Sequence, residues 1–294
     1  MSVLLVPLPG TETLAASIAR KIRADIADMR FRQFPDGESY IRFLSSPQDR
    51  NIIVLAMLDR PDCKINRLIF TAGGARDLGA RQVGLIAPYL PYMRQDKRFN
   101  SGEVITSASF AAVISTHFDW LMTVDPHLHR RSSLDEIYAI PSTVLQAAPL
   151  LAEWIKNHIA NPVLIGPDSE SEQWVYQVAG ELGCPYHILS KTRHGDRIVE
   201  ISTPDLSAWA SATPVIIDDT ISSAQTMIET VHHIRGQGLA PPVCCAVHGV
   251  FDDAALAQLK KAGPAQIITS NTVMCETSSI EISGLLADAL QNGG

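Results

Sequence analysis

The stretch Val215–Met227, VIIDDTISSAQTM, decides the fold. An apolar run, Val215–Ile217, ends in two carboxylates, Asp218 and Asp219. The small hydroxyl residues Thr220, Ser222, Ser223 and Thr226 follow, and an amphipathic stretch over Ala224–Gly236 begins. Strand, short turn and helix in this order predict one repeat of a parallel α/β sheet. Backbone N–H groups at such a helix start form an anion site, and the hydroxyls add donors. The paired carboxylates repel a phosphate but suit sugar hydroxyls or a hydrated metal. A sugar phosphate satisfies both halves of the loop. An ordinary capped helix start satisfies them equally well, and this segment alone does not separate the two readings.

Working outward, short apolar runs recur at Val3 (VLLV), Asn51 (NIIVLAM), Val83 (VGLIA), Trp120 (WLMTV), Val163 (VLIG), Tyr186 (YHIL), Val243 (VCCAVHGV) and Gln266 (QIIT). Amphipathic stretches long enough for helices lie between them, at Thr13–Ile22, Ile105–Thr116 and Thr143–His158. Apolar strands that do not alternate, separated by helices, are buried on both faces. The predicted class is α/β, doubly wound, with mainly parallel sheets. About five strands precede Pro141 and about as many follow, which predicts two open sheets. The expected domains are 1–142 and 143–294, with the boundary in a helix after Pro141. Whether the last helix-like stretch, Ile280–Leu290, packs back on the first domain stays open.

The 294 residues carry a formal charge of −7, which argues against a broad nucleic-acid footprint, so an anionic ligand must be held by local clusters. The five cysteines, Cys63, Cys184, Cys244, Cys245 and Cys275, show no CxxC spacing and read as free thiols. The first residues lack a basic n-region, and no apolar run approaches the ~20 residues of a membrane span. The expectation is a cytoplasmic protein with no membrane partner.

Three acidic motifs share one position. Asp125 follows LMTV, Asp168 follows VLIGP, and Asp218–Asp219 follow VII. Ligands of open parallel sheets bind beyond the carboxyl ends of the strands. One such Asp is readily a helix cap; three point to a site. The loop at 218–226 resembles the phosphoribosyl-binding loop of the phosphoribosyltransferase fold. FPDGE (Phe34–Glu38), RQDK (Arg94–Lys97), TVDPH (Thr123–His127), GPDSES (Gly166–Ser171) and KTRHGD (Lys191–Asp196) are similar, in the same order, to motifs of the ribose-phosphate diphosphokinases. The resemblance spans nearly the whole chain, and DPHLHRR and GPDSES look closer to the archaeal-type branch.

The resemblance implies two tandem phosphoribosyltransferase-like domains, a nucleotide site in the first and a ribose 5-phosphate site in the second. It implies transfer of the β,γ-diphosphoryl group of ATP to the C1 hydroxyl of ribose 5-phosphate. ATP is then the co-substrate and magnesium the metal. His127 and Asp168 are assigned to metal–ATP, with His127 contacting either a phosphate oxygen or a metal-bound water. Arg94 suits an ATP phosphate through its planar donor fork; Gln95 and Asp96 either bond the adenosine or fix the loop. Phe34, Asp36, Gly37 and Glu38 form a turn suited to adenine, by stacking and by accepting from its amino group, and otherwise a plain hairpin. In the resembled family that turn reaches a neighbouring subunit's nucleotide, which implies a homo-oligomer. Lys191 is implied as the catalytic cation, and Arg193 as a second cation on the transferring phosphates or the sugar. Asp218, Asp219, Ser222, Ser223, Ala224, Gln225 and Thr226 are implied to hold ribose 5-phosphate.

The loop departs from the family pattern, reading Ser223-Ala224-Gln225-Thr226 where a Gly-Thr ending is usual. Glycine there gives backbone freedom, which Gln225 forfeits if that position needs a positive φ. The competing functions are a phosphoribosyltransferase that consumes phosphoribosyl diphosphate, a non-catalytic regulatory paralogue, and a diphosphokinase for another sugar phosphate. The FPDGE and RQDK segments weigh against the first, because such enzymes need no ATP site.

Overall fold

The computed structural model describes residues 2–194, 198–202 and 206–293, with the side chains of 190–205 and 207 outside that description. The chain divides into two compact units: Met1–Leu145 with Ser283–Gly294, and Gln146–Ile282. The first holds β1 (Val3–Pro7), α1 (Glu12–Ile22), β2 (Asp25–Ile26), β3 (Met29–Gln33), β4 (Ser39–Phe43), β5 (Asn51–Leu55), α2 (Ile65–Asp77), β6 (Gln82–Ile86), α3 (Thr106–His117), β7 (Trp120–Val124) and β8 (Ser142–Leu145). The second holds α4 (Ala148–His158), β9 (Pro162–Gly166), α5 (Glu172–Leu182), β10 (Tyr186–Ile188), β11 (Ser190–His194), β12 (Ile198–Ser202), β13 (Thr213–Ile221), α6 (Gln225–Gly236), β14 (Val243–Gly249), α7 (Asp253–Ala262), β15 (Gln266–Ser270) and β16 (Ser278–Ile280). The chain then returns to the first unit with α8 (Ser283–Gln291).

Each unit is built on a six-stranded parallel sheet, ordered β2-β1-β5-β6-β7-β8 and β10-β9-β13-β14-β15-β16. The two orders are the same winding. In each, a two-stranded antiparallel hairpin (β3–β4, β11–β12) interrupts the path between the edge strand and its return to the sheet centre. The hairpin that carries the FPDGE turn and the hairpin that carries Lys191–His194 therefore occupy equivalent places in two copies of one topology.

Centre strands are buried throughout. All seven residues of β14 are buried, including Cys244 and Cys245, whose thiols burial pushes up, Cys245 to about 12. Such strands carry no polar face, which is why their pattern does not alternate. In β6, Gly84 pairs with Trp120, and a Cβ at Gly84 would come within 1.9 Å of the indole. The sheet closes there only because that side chain is absent.

Two expectations need correction. Residues 143–145 do not open a helix; Ser142–Leu145 is a strand paired to β7, and α4 starts at Ala148. The division accordingly falls after Leu145, not after residue 142. Thr143 and Val144 are β-branched and favour a strand, and Pro149 sits in the first turn of α4, where its missing N–H costs nothing. Each sheet has six strands rather than five, because the two-residue β2 and the short β8 and β16 are too brief to read by pattern. The segment Ile280–Leu290 begins as the end of β16 and becomes helix only at Ser283; α8 packs on α1, and Gln291 Nε2 donates to the Lys21 carbonyl (3.0 Å).

Candidate active-site residues

In the second unit β13 runs nine residues, through Asp218 and Asp219 to Ile221. The carboxylates lie inside the strand rather than after it, which corrects the expectation. The reason is unequal pairing. β9 accompanies β13 only as far as Ile165↔Ile216, whereas β14 continues to Gly249↔Ile221. Asp218 and Asp219 thus project past the end of β9, at the carboxyl edge of the sheet. Asp219 is buried (4% exposed), and its N–H donates to Asp218 Oδ1 (2.9 Å).

Asp168 stands two residues past β9. Its Oδ1 accepts from the Glu170 and Ser171 N–H groups (3.0 and 3.3 Å), capping a single 3₁₀ turn at Ser169–Ser171. A capping role does not exhaust this residue: its charge reaches Asp218. Burial raises the Asp218 carboxyl well above its ordinary value, and the negative charges of Asp219 and Asp168 add to the shift. Three carboxylates from two neighbouring strands therefore repel one another across one sheet edge, an arrangement that a cation would relieve.

The loop beyond β13 turns at Ala224, which has φ 61° and ψ 1° and is the N-cap of α6. The positive φ falls on Ala224 and not on Gln225, so the expected strain at Gln225 is corrected. Gln225 is the first helical residue, exposed, with Nε2 donating to Glu229 Oε1 (2.8 Å) one turn on. Ala224 itself is buried in the core beneath α6 with Met227 and Val231. The first N–H groups of this twelve-residue helix have no intrahelical acceptor and none in the N-cap side chain, and Ser222, Ser223 and Thr226 stand beside them in the chain.

In the first unit, Asp125 directly follows β7. It is buried, holds φ 36°, and its N–H donates to the Leu145 carbonyl (2.9 Å). His127 and His129 follow, with rings edge-to-face and centroids 3.9 Å apart. The next two residues reach the RQD turn, a link that sequence reasoning did not find. Arg130 Nη1 donates to both oxygens of Asp96 (3.0 and 3.2 Å), and Arg131 Nη2 donates to the Asp96 carbonyl (3.3 Å). The Asp96 side chain is 4% exposed. Of the two roles open to it, fixing the loop is the one this geometry fills. The signal was present in the two arginines of DPHLHRR, but a contact across 34 residues is invisible to spacing.

Gln95 is likewise committed within its turn. Its Nε2 donates to Glu103 Oε2 (3.3 Å), and its carbonyl accepts from the Ser107 N–H at the start of α3 (3.4 Å). Glu103 also accepts from the Asn100 side chain and the Phe99 N–H, and these bonds, Asn100's first, hold its carboxyl below the usual range. Arg94, by contrast, is exposed at the surface of this braced turn.

Phe34, Asp36, Gly37 and Glu38 are exposed at the tip of the β3–β4 hairpin. Phe34 and Glu38 close the turn by a backbone bond (2.8 Å), Glu38 N–H donates to Asp36 Oδ1 (3.1 Å), and Gly37 takes φ +90°. The Arg32 guanidinium lies 4.5 Å from the Phe34 ring centroid and 4.2 Å from that of Tyr40, which stiffens the base of the turn. Lys191 and Arg193 lie on β11, paired with Ile201 and Val199. Their side chains, and residues 195–197 between the two strands, lie outside the described residues.

Comparison with known proteins follows the same division. Residues 3–117 match the family of the N-terminal domain of ribose phosphate pyrophosphokinase, and residues 133–276 match the phosphoribosyl transferase domain family. A ribose-phosphate pyrophosphokinase of Methanopyrus kandleri is 30% identical over 281 residues, 95% of each chain. That of Methanosarcina acetivorans is 30% identical over 286 residues, 96% of this chain and 97% of the relative. That of Methanothermobacter thermautotrophicus is 29% identical over 290 residues, 98% and 100% of the two chains. Among solved structures, phosphoribosylpyrophosphate synthetase from Mycobacterium smegmatis shares the fold over 100% of both chains, with a TM-score of 0.87 at 24% identity.

Proposed function

The chain belongs to the ribose-phosphate pyrophosphokinase family, and on that premise we propose that it moves the β,γ-diphosphoryl group of ATP to the C1 hydroxyl of ribose 5-phosphate. The products are phosphoribosyl diphosphate and AMP. One observation carries the reading: an acidic strand edge, Asp218–Asp219 with Asp168 beside it, leads into an N–H-rich turn at Ala224. A pentose with a terminal phosphate matches that order of acceptors and donors. Asp218 and Asp219 accept from the ribose hydroxyls, while the α6 N-terminus, Ser222, Ser223 and Thr226 hold the 5-phosphate. The Gln225 side chain is turned along α6 by its bond to Glu229, so its contribution to that phosphate is the backbone N–H.

Diphosphoryl transfer demands placement of two anions and neutralisation of growing charge, with little covalent work by the protein. The C1 oxygen bonds to the β-phosphorus in line as the α–β bridging bond breaks and AMP leaves. Arg94, exposed on a turn held rigid by Asp96 and Gln95, offers a bidentate fork to a phosphate. His127 contacts the nucleotide phosphates or a metal-bound water. Phe34, Asp36, Gly37 and Glu38 present a stacking ring and acceptors to adenine, on an exposed hairpin tip that suits a neighbouring copy in a homo-oligomer. Lys191 and Arg193 supply the cations that the developing charge requires.

The donor set fits magnesium. It is all carboxylate oxygen in the second unit, the hard ligand type this ion prefers, and burial first, then the charges of Asp219 and Asp168, raise the Asp218 carboxyl. Asp168 is the ligand we assign. Bound magnesium would neutralise the polyphosphate during transfer. The deciding assay measures AMP release from ATP by the purified protein with magnesium, with and without ribose 5-phosphate. Release that depends on the sugar supports the proposal; sugar-independent release, or none, rejects it.

A further inference from the structure

Away from the acidic edge, the second unit carries a cleft of about 400 Å³ between the start of α4, the later half of α5 and β10. Tyr176, Tyr186, Gly180, Cys184, Gln146 and Glu181 are among the residues that line it. The volume falls in the range of small-molecule sites. We propose that this cleft binds a planar aromatic heterocycle without phosphate, of the purine base or nucleoside class.

Three observations set the ligand class. Tyr176 is 65% exposed and Tyr186 39%, their rings meet edge-to-face at 6.3 Å, and both line the cleft, so exposed aromatic surface is available there. Flat aromatic ligands stack on such a face. Gly180 adds no side chain to the lining, with nothing within 4 Å of where its Cβ would stand, which gives a flat ring room to approach the helix. The polar groups are directional: the Glu181 carboxylate accepts from an exocyclic amine or ring N–H, and the Gln146 amide both donates and accepts. Cys184 contributes an uncharged wall, because burial raises its thiol.

The same lining excludes a nucleotide. Among the described residues none of those lining the cleft is Lys or Arg, and the titratable side chains facing it are Glu181, Cys184 and the two tyrosines. A phosphate there would meet the Glu181 charge with no cation to offset it. This separates the cleft from the phosphate-holding elements at the other end of the sheet, and the inference does not depend on the reaction proposed above.

The test is saturation-transfer NMR on the full chain with adenosine as probe, in the presence of excess ATP to occupy the nucleotide site. Gly180→Leu fills the cleft from a helical position with open space and raises helix propensity, so it folds. Tyr176→Ala removes the stacking face. The expected result is adenosine signal that ATP does not displace, that both variants abolish, and that AMP fails to reproduce, with diphosphoryl transfer by Gly180→Leu unchanged. Absent signal at millimolar adenosine, or signal untouched by Gly180→Leu, overturns the proposal. So does a change in sedimentation of Gly180→Leu without adenosine binding to the parent, which would make the cleft a protein contact.

Discussion

Removing Arg130 tests how the turn at Arg94–Asp96, the proposed nucleotide site, is held. Its Nη1 donates to both oxygens of an Asp96 carboxylate whose side chain is 4% exposed, while the Arg130 side chain is 36% exposed. Deleting one partner of a buried pair costs ~3–5 kcal/mol, because the other charge is stranded. An exposed pair contributes ~0–1 kcal/mol. With the acid buried and the base a third exposed, the coupling should lie near ~2 kcal/mol. Arg130 also stands 5.3 Å over the Phe99 ring, so a single substitution mixes two losses. A double-mutant cycle of Arg130→Ala and Asp96→Ala, read by urea denaturation, isolates the pair. ATP affinity should fall roughly tenfold in Arg130→Ala, equivalent to ~1.4 kcal/mol, because Arg94 sits on the loosened turn. A coupling below ~0.5 kcal/mol, or unchanged ATP affinity, would refute the bracing argument.

Ala224→Gly should be close to neutral in stability. It relieves ~1–2 kcal/mol of left-handed strain but gives up a buried methyl worth ~0.8 kcal/mol and some chain stiffness. Ala224→Val should destabilise by ~2–4 kcal/mol in thermal or chemical melts, since a branched side chain suits neither the φ nor the packed core. Gly84→Ala, with the Trp120 indole where its methyl must go, should lose ~2 kcal/mol or more; a stability change under ~0.5 kcal/mol would contradict the packing. Asp218 has a folded-state pKa raised above its ordinary 3.8, so its stabilising protonated form is lost as pH rises. Asp218→Asn should therefore raise the melting temperature of the metal-free protein at neutral pH, with the gain shrinking as pH falls toward 3.8. Lys191→Ala should keep fold and ATP binding while turnover drops ~10²–10³-fold.

Much of the fold was legible in the sequence because its physics is local. Runs such as Val243–Val247 are apolar at every position, which only a strand covered on both faces tolerates. Features set by distant partners were not legible. Asp218 and Asp219 lie within a strand because β14 is longer than β9, and nothing near residue 218 encodes its neighbours' lengths. Left-handed Ala224 escaped notice because a glycine is the usual marker, and the core beneath α6 holds the alanine there instead. The Asp96–Arg130 pair joins loops from two strands, and the return of α8 to α1 joins segments more than 250 residues apart. The acids and hydroxyls that make up the candidate site could be picked out in the sequence by their places after strand-like runs; that Asp96 and Gln95 brace their turn while Arg94 is exposed required coordinates.

The most direct measurement of the proposed chemistry is a ³¹P NMR time course of the purified protein with magnesium, ATP and ribose 5-phosphate. Transfer of an intact diphosphoryl group predicts equal growth of AMP and of a sugar 1-diphosphate, with no ADP. ADP with inorganic phosphate, or a spectrum unchanged by the sugar, would contradict it.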